Sequence, residues 1–352
     1  MKKHFEILDG LRGLAAIIVT IYHLLEGIAG TYDVNPFHHA YLAVDFFFLL
    51  SGFVIGHAYD SRWDTMTISQ FLMIRLQRLH PLVVLGTVIG ALTYIYDPFV
   101  GNNQQVGTVA IAVAFILGIL LVPAPTLPNR WHETHSLNGP AWSLFQEYLI
   151  NICYAFWGRK MKIKTLVVFV AGSAIALTIT AVHYGDLQGG WSWQNIWVGP
   201  VRVTFPFFAG LLIYRLNLLV NIKFPFLLTS LLLLVVFVVP HIPRFRTNGL
   251  FDAACVILVF PLIISIGAGS HVKGKLAATC LFMGQISYPL YLLHYPFVHL
   301  YIHWVTDKKP GSTMAALVAC ILILSLIVGS WIILKVYDIP VRKKLAYFLK
   351  RP

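Results

Sequence analysis

The chain has 352 residues, of which 58% are hydrophobic and only 11% are charged. This composition excludes an ordinary soluble protein and is typical of a polytopic membrane protein. The net charge of +12 would suit a nucleic-acid partner, but basic loops also fix the orientation of membrane proteins. We therefore expect no nucleic-acid partner, and a single domain over residues 1–352 embedded in the lipid bilayer.

Apolar stretches of spanning length recur along the whole chain. They fall at residues 6–29, 40–59, 71–96, 107–122, 142–158, 165–184, 201–217, 224–240, 250–268, 279–305 and 312–337. The stretch 107–122 is the weakest, with only sixteen residues, and we expect it to dip into the membrane and return, or to lie at the outer face, without crossing. The fold class is then an all-α integral membrane bundle of about ten transmembrane helices with both termini cytoplasmic. Eleven crossings would instead place the basic segments 158–164 and 335–352 outside, against the positive-inside rule.

The first predicted helix carries ionisable residues that are costly in a bilayer. Arg12 and His23 are eleven positions apart, so they share one helix face and are separated by about 16 Å along the axis. With a cytoplasmic N-terminus, Arg12 lies toward the cytoplasm and His23 toward the outside. A snorkelling arginine paired with Asp9 and a hydrogen-bonded core histidine would also explain them. Together on one face, they indicate two stations along a polar path.

The second and third predicted helices add an acidic and a basic element. Asp45 stands directly before three phenylalanines, which indicates that it faces the interior of the bundle. Ser51-Gly52-Phe53, in the same helix, permits close backbone approach or a helix break. Arg75 and Arg78 form an i,i+3 pair near the cytoplasmic end of the third helix. Two guanidinium groups so placed can bind phosphate oxygens, or they can simply fix topology.

The fifth predicted helix begins after Pro140 in the sequence GPAWSLFQEY. Ser143 is explained as a capping residue of the first turn. Glu147 lies one turn further on, and we expect it in the outer part of the membrane at the depth of His23. The outer side therefore holds a histidine and carboxylates, whereas the cytoplasmic side holds arginines.

Histidine-rich stretches raise the question of a metal site. His299 and His303 share a helix face at i,i+4, but no carboxylate or cysteine lies nearby in the sequence. The sequence HETH at 132–135 lacks the HExxH spacing of zinc peptidases. We therefore predict no metal.

Six stretches in this order resemble the membrane acyltransferase-3 family, which includes O-acetyltransferases of bacterial surface polysaccharides. They are Arg12 with His23, FFFLLSGF at 46–53, Arg75 with Arg78, WSLFQE at 142–147, RVTFPFFAG at 202–210 and YPLYLLHYP at 288–296. The resemblance covers essentially the whole chain. It departs at Tyr148, where many relatives have a second glutamate.

The resemblance implies transfer of an acyl group, commonly acetyl, from cytoplasmic acetyl-CoA or another acyl-CoA to an extracytoplasmic carbohydrate hydroxyl. It also implies that Arg12 and His23 are essential and that Arg75 and Arg78 lie near CoA. The expected location is the inner (cytoplasmic) membrane of a bacterium. Some relatives carry an added extracytoplasmic domain, so we expect this chain to act alone or with an extracytoplasmic partner protein.

The working hypothesis assigns a role to each candidate residue. Arg75, Arg78 and Arg12 bind the CoA donor. His23 is the general base or an acylated relay, and Glu147 or Asp45 orients its imidazole. The acceptor is contacted by four residues, which are Trp142, Ser143, Arg202 and His294. The competing hypothesis is a transporter or flippase of an anionic or sugar-linked substrate, because charges along a membrane path suit transport as well.

Overall fold

The computed structural model describes residues 4–29, 34–100, 106–244 and 246–348. About 76% of the chain is helical, and the described residues contain no strand. The α-helices are α1 (Glu6–Ala29), α2 (Ala43–Tyr59), α3 (Ile68–Ile95), α4 (Thr108–Ile119), α5 (Ala141–Phe156), α6 (Ile163–Tyr184), α7 (Val198–Arg215), α8 (Pro225–Val238), α9 (Thr247–Ala254), α10 (Phe260–Gly269), α11 (Gly274–Lys308), α12 (Ser312–Ile333) and α13 (Ile339–Phe348).

Seven helical stretches of the described chain are long and apolar enough to cross a membrane. They are Glu6–Ile28, Ala40–Arg62, Ile68–Ile95, Ile163–Tyr184, Thr247–Gly269, Gly274–Lys308 and Ser312–Tyr347. The protein is therefore an all-helical integral membrane protein, as the composition predicts. The helix α4 has 12 residues and is about 18 Å long, against about 30 Å for a hydrocarbon core. The count of about ten crossings and the cytoplasmic position of the termini stay predictions.

The helices α1 and α11 pack closely because glycines lie between them. A Cβ atom on Gly13 would come within 2.5 Å of the Met283 carbonyl oxygen, and one on Gly284 within 2.7 Å of the Asp9 Cγ. Small residues at such contacts let two helix backbones approach. This contact brings the Arg12 side chain within reach of the α11 backbone.

The helices α2 and α7 meet in the same way. A Cβ atom on Gly52 would overlap the Phe207 carbonyl, and one on Gly210 would overlap the Leu49 carbonyl. The close backbone approach predicted for Gly52 is confirmed. It places Asp45 of α2 beside Arg202 of α7.

Two π-helical turns interrupt two of the long helical stretches. Cys255–Val259 joins α9 to α10, and Leu334–Asp338 joins α12 to α13. A π-turn shifts the side chains that follow it around the helix axis and often occurs at a functional site. The second of these turns borders the cavity described below.

The polar segment 122–140, which joins α4 to α5, is largely folded into the bundle. Residues 133–144 are all buried. The segment is joined to the loop 185–197 by backbone hydrogen bonds, with the Thr134 N–H donating to the Trp191 carbonyl at 2.9 Å and the Trp193 N–H to His132 at 3.1 Å. Because this loop is buried, α5 begins inside the protein rather than at its surface.

Candidate active site

A cavity of about 410 Å³ lies between α1, α2, α3, α5, α11 and the C-terminal helical segment. We call it the arginine cavity. Part of its wall is apolar, with Phe47, Phe48 and Val54 from α2. Its charged lining residues are Arg12, Arg75, Arg78, Lys335 and Arg342, with Glu147 and Asp338. The basic side chains outnumber the acidic ones, so the cavity suits an anion.

The two arginines of α3 that line this cavity differ in burial and in hydrogen bonding. Arg75 is buried, and its terminal nitrogen donates to Glu147 Oε1 at 2.7 Å. The Ser51 hydroxyl donates to the same oxygen at 2.6 Å. The Nε atom of Arg75 is buried without a hydrogen-bond partner among the described residues. Arg78 is exposed and makes no hydrogen bond or ion pair with the described part of the chain, so both arginines keep free donors.

Arg12 is held at the wall of the arginine cavity by α1 and α11. Its Nε donates to Ser287 Oγ at 2.9 Å and a terminal nitrogen donates to the Gly284 carbonyl at 2.7 Å. Asp9 lies 3.0 Å from the same terminal nitrogen, which confirms the i,i+3 pair considered from the sequence. These contacts fix the guanidinium in one position.

A second cavity of about 250 Å³ contains His23, and we call it the histidine cavity. His23 Nδ1 lies 2.8 Å from Glu26 Oε2 on the next turn of α1. Since a carboxylate accepts a hydrogen bond, Nδ1 carries the proton and Nε2 is the basic nitrogen. Nε2 makes no hydrogen bond with the residues that the structure describes. His23 is therefore oriented and available as a base.

The ring of His23, on α1, packs against two rings of α11. His294 stacks on it with ring centroids 5.5 Å apart, and Tyr295 meets it edge-on at 5.0 Å. His294 is fully buried, its Nδ1 lies 3.0 Å from the Leu290 carbonyl, and it lines neither cavity. It supports the His23 ring from behind. The contact of His294 with the acceptor stays a prediction, and the structure places this ring behind His23 rather than in the cavity lining.

Aromatic side chains form much of the wall of the histidine cavity. They are Tyr22, Tyr41, Trp131, Trp142, Trp191, Tyr291 and Tyr295. Such side chains combine a flat apolar face with a polar group at the edge. Trp142 and Arg202 line this cavity, where acceptor contacts were expected. Ser143 lines the arginine cavity instead, and its contact with the acceptor stays a prediction.

Arg202 and Asp45 form a buried ion pair between α7 and α2. The two guanidinium–carboxylate contacts are 3.2 Å and 2.5 Å. Arg202 also donates to the Gly189 carbonyl at 2.8 Å and to the Tyr41 carbonyl at 3.1 Å. Its nitrogens are thus committed to the protein. The pair ties the loop 185–197 to the bundle and so shapes the histidine cavity.

The two cavities share a wall. Val44 and Tyr291 line both of them. The Tyr291 hydroxyl is hydrogen-bonded to Ser143 Oγ at 2.8 Å. A layer one side chain thick therefore separates the cationic cavity from the one that contains His23.

Glu133 is a buried acid in the wall of the histidine cavity. The Tyr295 hydroxyl donates to its Oε1 at 2.6 Å, and its Oε2 has no hydrogen-bond partner among the described residues. Burial raises the pKa of Glu133 to about 8, although Tyr295 and Arg130 favour its ionised form. Glu133 belongs to the sequence HETH, whose pattern raises only the question of metal binding and gives no sign of a buried acid beside His23.

The structure corrects the carboxylate partner of His23. Neither Glu147 nor Asp45 orients this imidazole, because Glu147 binds Arg75 in the arginine cavity and Asp45 binds Arg202. The structure places Glu147 in the arginine cavity rather than beside His23. The partner is Glu26, which the i,i+3 spacing from His23 could have indicated.

The described residues contain no group of three or more histidine, cysteine, aspartate or glutamate side chains arranged to hold a metal ion. His303 Nδ1 lies 2.5 Å from Asp97 Oδ2. His299 Nε2 lies 3.8 Å from Glu133 Oε2.

These features define an integral membrane protein in which a cationic cavity and a histidine–carboxylate cavity lie on either side of one layer of side chains. Residues 5–335 match the family model described as an acyltransferase domain, and the chain belongs to this acyltransferase-3 family. The family resemblance noted in the sequence is therefore confirmed.

Three curated proteins illustrate the relationship. Protein 2 in picA locus of Rhizobium radiobacter is 36% identical over 197 residues, which cover 52% of this chain and 97% of that protein. The peptidoglycan O-acetyltransferase OatA of Listeria monocytogenes is 25% identical over 354 residues, covering 90% of this chain and 53% of OatA. The acyltransferase MdmB of Streptomyces mycarofaciens is 27% identical over 321 residues, covering 82% of this chain and 77% of MdmB. This chain thus spans about half the length of OatA. No solved structure matches it.

Proposed function

We propose that the protein is a membrane O-acyltransferase that uses a cytoplasmic acyl-CoA, with acetyl as the simplest acyl group. The acceptor is a hydroxyl of a carbohydrate or glycolipid on the outer side of a bacterial cytoplasmic membrane. The observation that carries this proposal is the pair of cavities separated by Val44 and Tyr291. Family membership supports acyl transfer, and the charges and rings of the two cavities support the donor and the acceptor.

The arginine cavity is the proposed donor site. CoA carries a diphosphate, and guanidinium groups bind phosphate oxygens in pairs. Arg78 and the free Nε of Arg75 offer donors that no described residue uses. Apolar side chains of α2, among them Phe47 and Phe48, suit the pantetheine arm and the acyl group.

The position of the basic loops supports a cytoplasmic opening of this cavity. Arg215 at the end of α7 donates to Asp60 after α2, with the shortest contact 2.6 Å, and to the Gly158 and Met161 carbonyls. The basic loop 158–164 therefore lies at the end of the bundle where α2 ends and α3 begins. Loops rich in lysine and arginine favour the cytoplasm. On this basis the arginine cavity faces the cytoplasm and the histidine cavity faces outward.

The proposed chemistry places the base on His23. Its Nε2 accepts the proton of the acceptor hydroxyl, whose oxygen attacks the thioester carbonyl. A C–O bond forms, the C–S bond breaks, and the proton passes from His23 to the departing thiolate to give free CoA. Glu26 holds the Nδ1 proton and stabilises the imidazolium that forms, as the carboxylate of a catalytic triad does.

A relay is an equally balanced route through the same residues. His23 Nε2 would attack the thioester first, so that a C–N bond forms, the C–S bond breaks and the CoA thiolate leaves an acyl-imidazolium that Glu26 stabilises. The acceptor oxygen would then attack the acyl carbon, the C–N bond breaks to return the neutral ring, and the hydroxyl proton is the one that converts the thiolate to free CoA. Both routes require His23 and Glu26.

The histidine cavity is the proposed acceptor site. Tryptophan rings such as Trp131, Trp142 and Trp191 offer flat faces for the C–H surface of a sugar. Gln188 and Glu133 offer polar groups to its hydroxyls. An acceptor hydroxyl bound here lies beside His23.

Acetyl transfer by the purified protein tests the proposal. Radiolabelled acetyl-CoA is mixed with cell-envelope glycans, and alkali-labile ester is measured for wild type, His23→Ala and the control His183→Ala. His183 is an exposed histidine at the end of α6, so this control removes a histidine away from both cavities. We expect a loss of about 10²-fold or more in His23→Ala only. Unchanged transfer by folded His23→Ala contradicts the assignment, and movement of intact glycan without ester formation supports a transporter.

A further inference from the structure

The C-terminal helical segment contributes side chains to the rim of the arginine cavity. Lys335 and Asp338 belong to the π-turn Leu334–Asp338, and Arg342 lies in the first turn of α13. All three line the cavity. From the sequence, the basic residues of this segment need no explanation beyond fixing the orientation of the chain in the membrane. Their position in the cavity wall is seen only in the structure.

These side chains differ in whether another side chain of the protein already pairs with them. Arg342 is paired with the fully buried Asp338, whose second oxygen has no hydrogen-bond partner among the described residues. Lys335 is exposed and makes no ion pair or hydrogen bond with the part of the chain that the structure describes. Lys335 and Arg342 therefore add cationic side chains to a lining that already holds Arg75, Arg78 and the tethered Arg12.

We propose that Lys335 and Arg342 bind the 3′-phosphate on the ribose of CoA and make the enzyme selective for CoA thioesters over 3′-dephospho-CoA thioesters. This inference rests on the proposed function, because it assumes a CoA donor. It assigns a specificity role to two residues outside the arginine pair of α3.

The order of groups in CoA supports this assignment. The acyl group must reach the wall formed by Val44 and Tyr291, so the pantetheine arm occupies the inner part of the cavity. The diphosphate follows the pantetheine and falls to Arg75 and Arg78. The ribose phosphate comes last, and Lys335 and Arg342 are the cationic lining residues that the C-terminal segment adds. Cationic side chains beyond Arg75 and Arg78 thus match the second anionic group of the donor.

An anionic lipid headgroup is the other source of phosphate that a rim lysine could bind. The two sources are separated by measuring in a neutral detergent without anionic lipid. A headgroup site would give no preference between the two donors there, whereas a ribose-phosphate site would keep it.

Donor kinetics in neutral detergent test the inference. KM is measured for acetyl-CoA and for 3′-dephospho-acetyl-CoA with wild type, Lys335→Gln and the control Lys343→Gln. Lys343 is an exposed lysine of α13 that does not line the cavity. We expect wild type and the control to prefer acetyl-CoA by about tenfold, and Lys335→Gln to lose most of this preference through a higher KM for acetyl-CoA. Equal KM values in wild type, or an unchanged preference in Lys335→Gln, overturn the inference.

Arg342 needs a paired variant because its removal leaves Asp338 buried without its partner. The double variant Asp338→Asn with Arg342→Gln avoids that charge and should show the same loss of preference. If wild type transfers acetyl from neither donor, the proposed function fails, and the shift in melting temperature with CoA or 3′-dephospho-CoA still tests the site. A larger shift with CoA in wild type but not in Lys335→Gln supports the rim phosphate site, and equal shifts overturn it.

Discussion

His23 and Glu26 are hydrogen-bonded across one turn of α1, with Nδ1 and Oε2 2.8 Å apart. This single contact fixes the ring, places the proton on Nδ1 and leaves Nε2 facing a cavity lined by aromatic side chains. A base so arranged resembles the histidine–carboxylate pair of acyl-transfer enzymes in its geometry. The consequences of this and the neighbouring contacts can be measured one at a time.

Replacing Glu26 by Gln should lower acetyl transfer by about 10²-fold, because the imidazolium loses its carboxylate partner and the favoured tautomer. The acceptor KM should change much less than kcat. Asp307→Asn is the matched control, since Asp307 is an exposed acid remote from both cavities. Activity in Glu26→Gln close to wild type, with unchanged melting, would show that the hydrogen bond does not orient a catalytic ring.

Trp191→Ala should raise the acceptor KM by about tenfold while leaving the KM for acetyl-CoA unchanged. Trp191 lines the histidine cavity, whereas Trp157 is exposed at the end of α5 and lines neither cavity. Trp157→Ala is therefore the control. A rise in the KM for acetyl-CoA instead would contradict the assignment of Trp191 to the acceptor site.

Glu133 should make stability depend on pH in a defined direction. Its pKa is raised from an ordinary value of 4.5 to about 8, so the folded protein holds a proton that the unfolded chain releases between these values. The contribution of this proton to the free energy of unfolding is complete below about pH 4.5 and is lost as the pH rises toward 8. The slope is at most about 1.4 kcal/mol per pH unit for one proton.

Thermal melting in detergent at several pH values checks this slope. Wild type should lose stability between pH 5 and 8 relative to Glu133→Gln, which cannot ionise. Parallel curves for the two proteins would mean that Glu133 is ionised in the folded state.

Gly13→Ala should destabilise the protein by about 1–3 kcal/mol, because its Cβ atom would overlap the backbone at Met283. The displacement of α1 from α11 should also raise the donor KM, since Arg12 is tethered to Gly284 and Ser287. Gly172→Ala in α6 is the control, as its Cβ atom would meet open space. Equal melting temperatures of the two variants would contradict the close packing.

Arg202→Ala should destabilise the protein by about 3–5 kcal/mol by leaving Asp45 buried without its partner. The double change Asp45→Asn with Arg202→Gln should recover part of this loss, because no buried charge remains. Melting in detergent distinguishes the three proteins. If Arg202→Ala melts like wild type but transfers no acetyl, the pair has a direct role in the reaction rather than in shaping the cavity.

Local spacing predicted a part of the site well. The i,i+3 pair of Asp9 and Arg12, the shared face of Arg12 and His23, and the joint position of Arg75 and Arg78 follow from helix geometry alone. The helices themselves fall at all eleven predicted apolar segments. These features depend on the spacing of residues within one helix, and that spacing can be read from the sequence.

Partners that are distant in sequence could not be predicted in this way. Glu147 meets Arg75 where α5 packs against α3, and this depends on tertiary packing rather than on a local pattern. The charges of Lys335 and Arg342 look like ordinary topology signals until the π-turn places them in the cavity. Glu26 is the exception among the distant and local partners, because its i,i+3 spacing from His23 is visible in the sequence.

The central claim is that an acyl group passes from a donor in the cytoplasm to an acceptor outside through the wall between the two cavities. It is tested most directly in sealed, oriented membrane vesicles, with radiolabelled acetyl-CoA supplied on one side at a time and ester formation measured on the glycan of the other side. The account predicts labelled ester on the outer face only when the donor is on the cytoplasmic side, with wild type but not with His23→Ala. Labelling that requires donor on the outer side, or that persists in folded His23→Ala, would contradict it.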